Sequence, residues 1–143
     1  MQKSSAPQSV NRSRLNHIAV EEAQEAPDVV LGEFLVNSCL AIVLFHSSAT
    51  YSFISSKFVS KLKMPTILLE TPYLTTSPLG TFKCILGCRR VKILIEGVPF
   101  LADLTVLPSR DIDVILGMDW LAKNKGVISC ADRVVSLENH RGV

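Results

Sequence analysis

From residue 29 onward, short apolar runs alternate with turn-forming residues, the texture of a β protein. Residues 29–36 and 39–45 flank Asn37-Ser38, which predicts a hairpin turning at Asn37. The second run is apolar at successive positions, as expected of a strand covered on both faces. Ile54, Phe58 and Leu62 recur every fourth residue, with Lys57, Lys61 and Lys63 interspersed. That spacing predicts a short helix or turn over 53–62. Ser77-Pro78-Leu79-Gly80 puts Pro and Gly where a four-residue turn favours them, between flanks 73–76 and 81–85. A projecting hairpin is expected there.

Val91, Ile93 and Ile95 alternate with Lys92 and Glu96 up to Gly97, a strand ending at a turn. Residues 100–107 form the return strand, closed by Pro108, and 112–116 form another, ended by Gly117. Residues 118–124 suit a short helix that stops near Gly126, and 127–130 with 133–137 make a last hairpin over Ala131-Asp132. Turn signals at roughly 8–12-residue intervals predict an all-β barrel or sandwich. There is no βαβ rhythm and no repeat of solenoid period.

Residues 1–27 differ. Ser4, Ser5, Pro7, Gln8, Ser9, Asn11 and Ser13 lead into Glu21, Glu22 and Glu25 with few large apolar groups. Such a stretch buries too little surface to offset its ordering entropy, so a polar linker is expected, with at most a short helix at 20–26. The domain proper is expected at 28–138 and a tail at 139–143.

Composition narrows the function classes. A chain of 143 residues suits one domain, and 48% hydrophobic side chains exclude a disordered tail. Fifteen basic against thirteen acidic residues give no field that would draw nucleic acid or anionic lipid. The longest unbroken apolar run, 39–45, is far short of the ~20 residues of a spanning helix, and the polar start is unlike a signal peptide. An intracellular, cytoplasmic protein is expected. Cys39, Cys84, Cys88 and Cys130 then read as free thiols. The Cys84/Cys88 spacing is not a standard zinc pair, and neither a metal nor any other cofactor is expected.

Two stretches carry candidate chemistry: Phe45-His46-Ser47-Ser48-Ala49-Thr50-Tyr51-Ser52-Phe53-Ile54, after an apolar strand, and Asp113-Val114-Ile115-Leu116-Gly117-Met118-Asp119-Trp120-Leu121. Together they resemble the retropepsin-like aspartic proteases, specifically those in polyproteins of plant gypsy-type LTR retrotransposons. Glu21-Glu22-Ala23-Gln24-Glu25-Ala26-Pro27-Asp28, Phe100-Leu101-Ala102-Asp103-Leu104 and Val127-Ile128-Ser129-Cys130-Ala131 also look like that family. The resemblance implies a small closed β-barrel that pairs into a twofold dimer. In the family an Asp-Ser/Thr-Gly-Ala loop from each subunit sets two carboxyls side by side. Two such groups cannot both ionise, so one anion takes a proton from a shared water while its neutral partner hydrogen-bonds the scissile carbonyl.

This chain departs from the pattern at its centre. His46 stands at the Asp position and Ser48 at the Gly position, while Ser47 and Ala49 match. A neutral imidazole carries one donor and one acceptor, a protonated one only donors, and two protonated rings repel. Ser48 adds a Cβ at a place where Gly commonly supports special backbone angles. Lost hydrolysis is therefore expected. The other aspartates are Asp28, Asp103, Asp111, Asp113, Asp119 and Asp132, and none precedes Ser/Thr-Gly. Asp119 is expected to cap helical N–H groups. His46-Ser47 lacks the elbow of a serine hydrolase, and His46 from two subunits gives too few ligands for zinc.

By resemblance, Thr76, Ser77, Pro78, Leu79 and Gly80 form the flap over bound peptide; by pattern alone they are an ordinary exposed hairpin. Met118 and Trp120 are expected in the core, and His17 and His140 in solvent. Two readings follow: a protease fold without its catalytic carboxylate, or a non-enzymatic module that dimerises or binds extended peptide by strand addition. A third, nucleic-acid binding through Lys3, Arg12 and Arg14, is opposed by the acids of the same segment.

Overall fold

The computed structural model describes residues 29–77, 80–109, 111–129 and 134–137. The linker, the tail, Cys130, His17 and His140 lie outside the described residues. Strands β1 (Val29–Val36) and β2 (Cys39–His46) form the first hairpin, fully paired from Val29↔His46 to Val36↔Cys39. Its two turn residues, Asn37 and Ser38, both have positive φ (48° and 71°), the conformation that matches strand twist in a tight hairpin. Asn37 also docks the turn on the neighbouring strand: its N–H donates to the Lys92 carbonyl (2.8 Å) and its Oδ1 accepts from the Lys92 N–H (2.9 Å).

After β2 comes β3 (Phe53–Ser55), which runs into helix α1 (Ser56–Leu62). Ser55 caps that helix by accepting the Phe58 N–H at 3.0 Å, and Lys63 ends it in the left-handed region (φ 54°). The fourfold apolar spacing thus marked a helix correctly but hid the strand before it. Strands β4 (Ile67–Ser77), β5 (Gly80–Ile95) and β6 (Val98–Leu107) follow. β5 is one long strand where the sequence pattern suggested two, because its ladder with β6 absorbs the polar Arg89-Arg90 in a register shift between Cys88 and Val91. β7 (Val114–Leu116), α2 (Met118–Lys123), β8 (Val127–Ser129) and β9 (Val134–Ser136) complete the described elements.

The main sheet runs β1-β2-β7-β3-β6-β5-β4, and a further β1–β5 pairing (Leu35↔Leu94, Val36↔Ile93) joins strands across it into a ring. β8 and β9 form a separate ribbon. The fold is all-β with short helices, as the turn spacing predicted. Two apolar clusters fill it. One centres on Phe45, Phe100 and Trp120, whose rings meet at centroid distances of 6.1 and 5.7 Å. The Trp120 indole N–H donates to the Leu101 carbonyl (3.2 Å), so its burial leaves no orphaned donor. The other holds Leu44, Ala49, Phe53, Cys84 and Ile115, and lies under the end of β2. No helix among the described residues is long and apolar enough to cross a membrane.

Candidate active site

The two singled-out motifs meet. β2 and β7 pair in parallel (Val43↔Val114, Leu44↔Ile115, Phe45↔Leu116), which brings the ends of both strands, His46 and Gly117, to the same rim. β7 also pairs with β3 in antiparallel fashion, so the segment 47–52 loops out and returns beside β7. That loop is clamped to the start of α2. Its first turn closes with the Ala49 N–H donating to the His46 carbonyl (3.1 Å). Met118 N–H donates to the Ala49 carbonyl (2.7 Å) and Asp119 N–H to the Thr50 carbonyl (3.2 Å). Gly117 N–H donates to Ser52 Oγ (2.9 Å), whose hydroxyl donates in turn to Asp119 Oδ1 (2.5 Å). These orphan N–H groups of a short helix are thus satisfied by the loop.

Gly117 is required by this approach. A Cβ there would stand 2.7 Å from the Ala49 carbonyl oxygen and collide with that of Tyr51 as well. Its φ of −97° is ordinary, so space rather than backbone freedom selects glycine.

His46 ends β2 and is 2% exposed, with Ser47 and Ser48 half-buried after it. Strand alternation puts the imidazole on the face of Leu44, toward the second apolar cluster. Ser48 is not among the described non-glycine residues with positive φ. The turn accepts a Cβ without backbone strain, which removes the conformational objection to serine and leaves only the space that its side chain fills.

The described carboxylates at this rim have structural work. Asp113 Oδ2 accepts the Ile42 N–H (2.8 Å), while its N–H donates to the Ile42 carbonyl (2.9 Å), so it staples β2 to the approach of β7. Asp119 Oδ1 accepts the Ser52 hydroxyl and the Trp120 N–H (2.6 Å) from within the first turn of α2. The helix's N-cap is Gly117, which has no side chain to cap with, so Asp119 ties the loop to the helix rather than capping it. Farther off, Asp103 accepts the Arg90 N–H (2.9 Å) at a bulge where Arg90 has φ 54°. Among the described residues no cluster of three or more His, Cys, Asp or Glu side chains is placed to hold a metal ion.

A strand end, a loop clamped by a Gly-initiated helix, and a ring of short strands form an arrangement with known relatives. The family model described as retroviral aspartyl protease matches residues 9–143. The chain belongs to that family. Its fold is similar to the retroviral protease-like domain of Ddi1 from Leishmania major, with a TM-score of 0.58 and 13% identity over 78% of this chain and 85% of that one. It is also similar to EIAV protease complexed with the inhibitor HBY-793, with a TM-score of 0.53 and 19% identity over 69% of this chain and 90% of that one. At these identities the likeness concerns the fold. No curated protein matches the sequence.

Within this retroviral-protease fold, the second hairpin is formed by the upper parts of β4 and β5, paired from Tyr73↔Cys84 through Thr76↔Thr81 to Ser77↔Gly80. Its turn residues Pro78 and Leu79 lie outside the described residues. Trp120 is in the core as expected, but Met118 is 42% exposed. The first residue of α2 faces out because its backbone, not its side chain, makes the contact with the loop.

Sequence reasoning missed a second set of site residues. Tyr51, on the loop, stacks against Tyr73 of β4 with ring centroids 4.7 Å apart and planes at 39°. The Tyr73 hydroxyl donates to Thr105 Oγ1 (2.8 Å), and the Thr105 N–H donates to the Ser52 carbonyl (3.0 Å). Burial pushes the Tyr73 phenol well above its ordinary range, partly offset by its bond to Thr105. Burial also raises the Cys84 and Cys88 thiols, with the Tyr73 hydroxyl opposing this at Cys84. Only the alternation of polar and aromatic residues in Thr50-Tyr51-Ser52 hinted at these contacts, and it names no partner.

Proposed function

We propose that this chain is a retrotransposon-derived aspartic-peptidase domain, of the plant gypsy type by its motifs, that has lost peptide hydrolysis. The supporting observation is His46 at the end of β2, 2% exposed and in the position of the family's catalytic Asp. A carboxyl pair sharing one proton carries a single negative charge, which supplies both the base and the acid. An imidazole pair carries no charge or positive charge, so the anion that activates water is missing. The carboxylates Asp113 and Asp119 accept backbone N–H groups and brace the rim, so neither substitutes for it. Ser47 and Ser48 frame the same turn, with Ser48 filling space left open in the family's loop.

A second reading keeps the fold as a homodimeric module that holds extended peptide without cutting it, with Thr76, Ser77, Pro78, Leu79 and Gly80 closing over the groove. Intact pairing up to Ser77↔Gly80 favours it. The free thiols Cys39, Cys84 and Cys88 suit an intracellular, cytoplasmic protein. Incubation of the purified chain with a mixed peptide pool, with and without pepstatin, tests the first reading. Silence is expected, and pepstatin-sensitive cleavage would overturn it. Sedimentation over a concentration series tests the second, which requires a dimer.

A further inference from the structure

The β4–β5 ladder is interrupted below the second hairpin: pairing runs Ile67↔Gly87 and Leu68↔Leu86, then resumes only at Tyr73↔Cys84. The hairpin from Tyr73 upward is therefore set apart from the lower ladder, and a broken ladder transmits orientation poorly. Side chains at its base supply what the backbone does not. Tyr73 is bonded at its hydroxyl to Thr105, and its ring packs against that of Tyr51, tilted at 39° with centroids 4.7 Å apart, within the distance over which aromatic pairs attract. Tyr51 belongs to the loop that starts at His46 and is held at Thr50 and Ser52 by α2, yet its own side chain is 47% exposed. A half-exposed ring that nonetheless packs against its neighbour joins the loop to β4. Thr105 completes the link, since it bonds both the loop, through the Ser52 carbonyl, and the Tyr73 phenol.

We infer that Tyr51 and Tyr73 are positioning residues that latch the base of the second hairpin to the His46 loop, so that order in one element is transmitted to the other. The inference rests on the proposed groove only in giving the latch a purpose; the coupling itself is a property of the free protein. Removing the Tyr51 ring frees one face of Tyr73 and takes away its contact with the loop, leaving Tyr73 held by Thr105 and by its packing on the second apolar cluster. Removing the Tyr73 hydroxyl releases the other tie.

Hydrogen exchange on the full chain, read by mass spectrometry, tests this in Y51A, Y51F and Y73F. Y51A is expected to speed exchange by about fivefold in 73–77 and 80–84, while the β1–β2 ladder keeps its protection, the local opening that loss of one aromatic pair implies. Y51F, which keeps the ring, should restore the unmodified pattern, and Y73F should speed the same segments. Unchanged hairpin exchange in Y51A, or an equal rise in β1–β2, would overturn the latch. If Y51A does not fold, the Y73F comparison decides alone. Titration of the unmodified chain with a pool of extended peptides reports separately on the groove: absent binding removes that reading and leaves the exchange result standing.

Discussion

The loop after β2 has two halves that obey different rules. Ala49, Thr50 and Ser52 are bonded at nearly every turn to Gly117, Met118 and Asp119, and each contact depends on backbone geometry and close approach. One turn of chain away, the fold accepts His46 and Ser48, the two departures from the family motif, without a positive φ at either. The difference separates folding from chemistry. The fold buries an imidazole at the end of β2, but an imidazole cannot supply the anion of a shared-proton pair. On the proposed reading, the same few residues keep the family's architecture while the reaction's requirement goes unmet.

The comparison is tested hardest by damage to the folding half and its support. F45A removes the ring that packs on Phe34 and Trp120 and should cost about 3–5 kcal/mol, read from urea denaturation. G117A forces a Cβ against the Ala49 and Tyr51 carbonyls. It should cost about 1–3 kcal/mol, and more if the loop cannot shift. S52A leaves the Gly117 N–H and Asp119 without their shared hydroxyl and should cost about 1–3 kcal/mol. If S52A were neutral, the clamp would be ornamental and the contrast between the two halves would weaken.

The smallest effect is one of pH. Cys84, Cys88 and Tyr73 are all raised by burial, so the folded state favours their neutral forms. Their contribution is complete below the ordinary thiol value of about 8.5 and declines as pH rises through it, because the unfolded chain loses those protons first. The urea midpoint should fall modestly from pH 8 to pH 10.5. Thiol reagents mapped by mass spectrometry should modify Cys39, which is partly exposed, before Cys84 or Cys88.

Much of this was legible in the sequence, where local chemistry dictated the outcome. Asn37-Ser38 marked the turn between β1 and β2, Glu96-Gly97 that between β5 and β6, and the Gly117 motif its strand-to-helix switch. β3 and the lower part of β4 were not legible, because a three-residue strand carries no period and Leu68 is 74% exposed on its strand. Tyr51, Tyr73 and Thr105 come together only through pairings distant in sequence, which no local pattern encodes. The position of His46 was legible through the family motif, whereas its burial and the unstrained backbone of Ser48 came from the fold.

The decisive measurement is peptide cleavage by the unmodified chain beside H46D and the double variant H46D/S48G, each with and without pepstatin. No turnover is expected from the unmodified chain and pepstatin-sensitive turnover from the double variant, since the clamp that positions the loop is intact. Pepstatin-sensitive cleavage by the chain as it stands, with His46 in place, would contradict the proposed loss of hydrolysis.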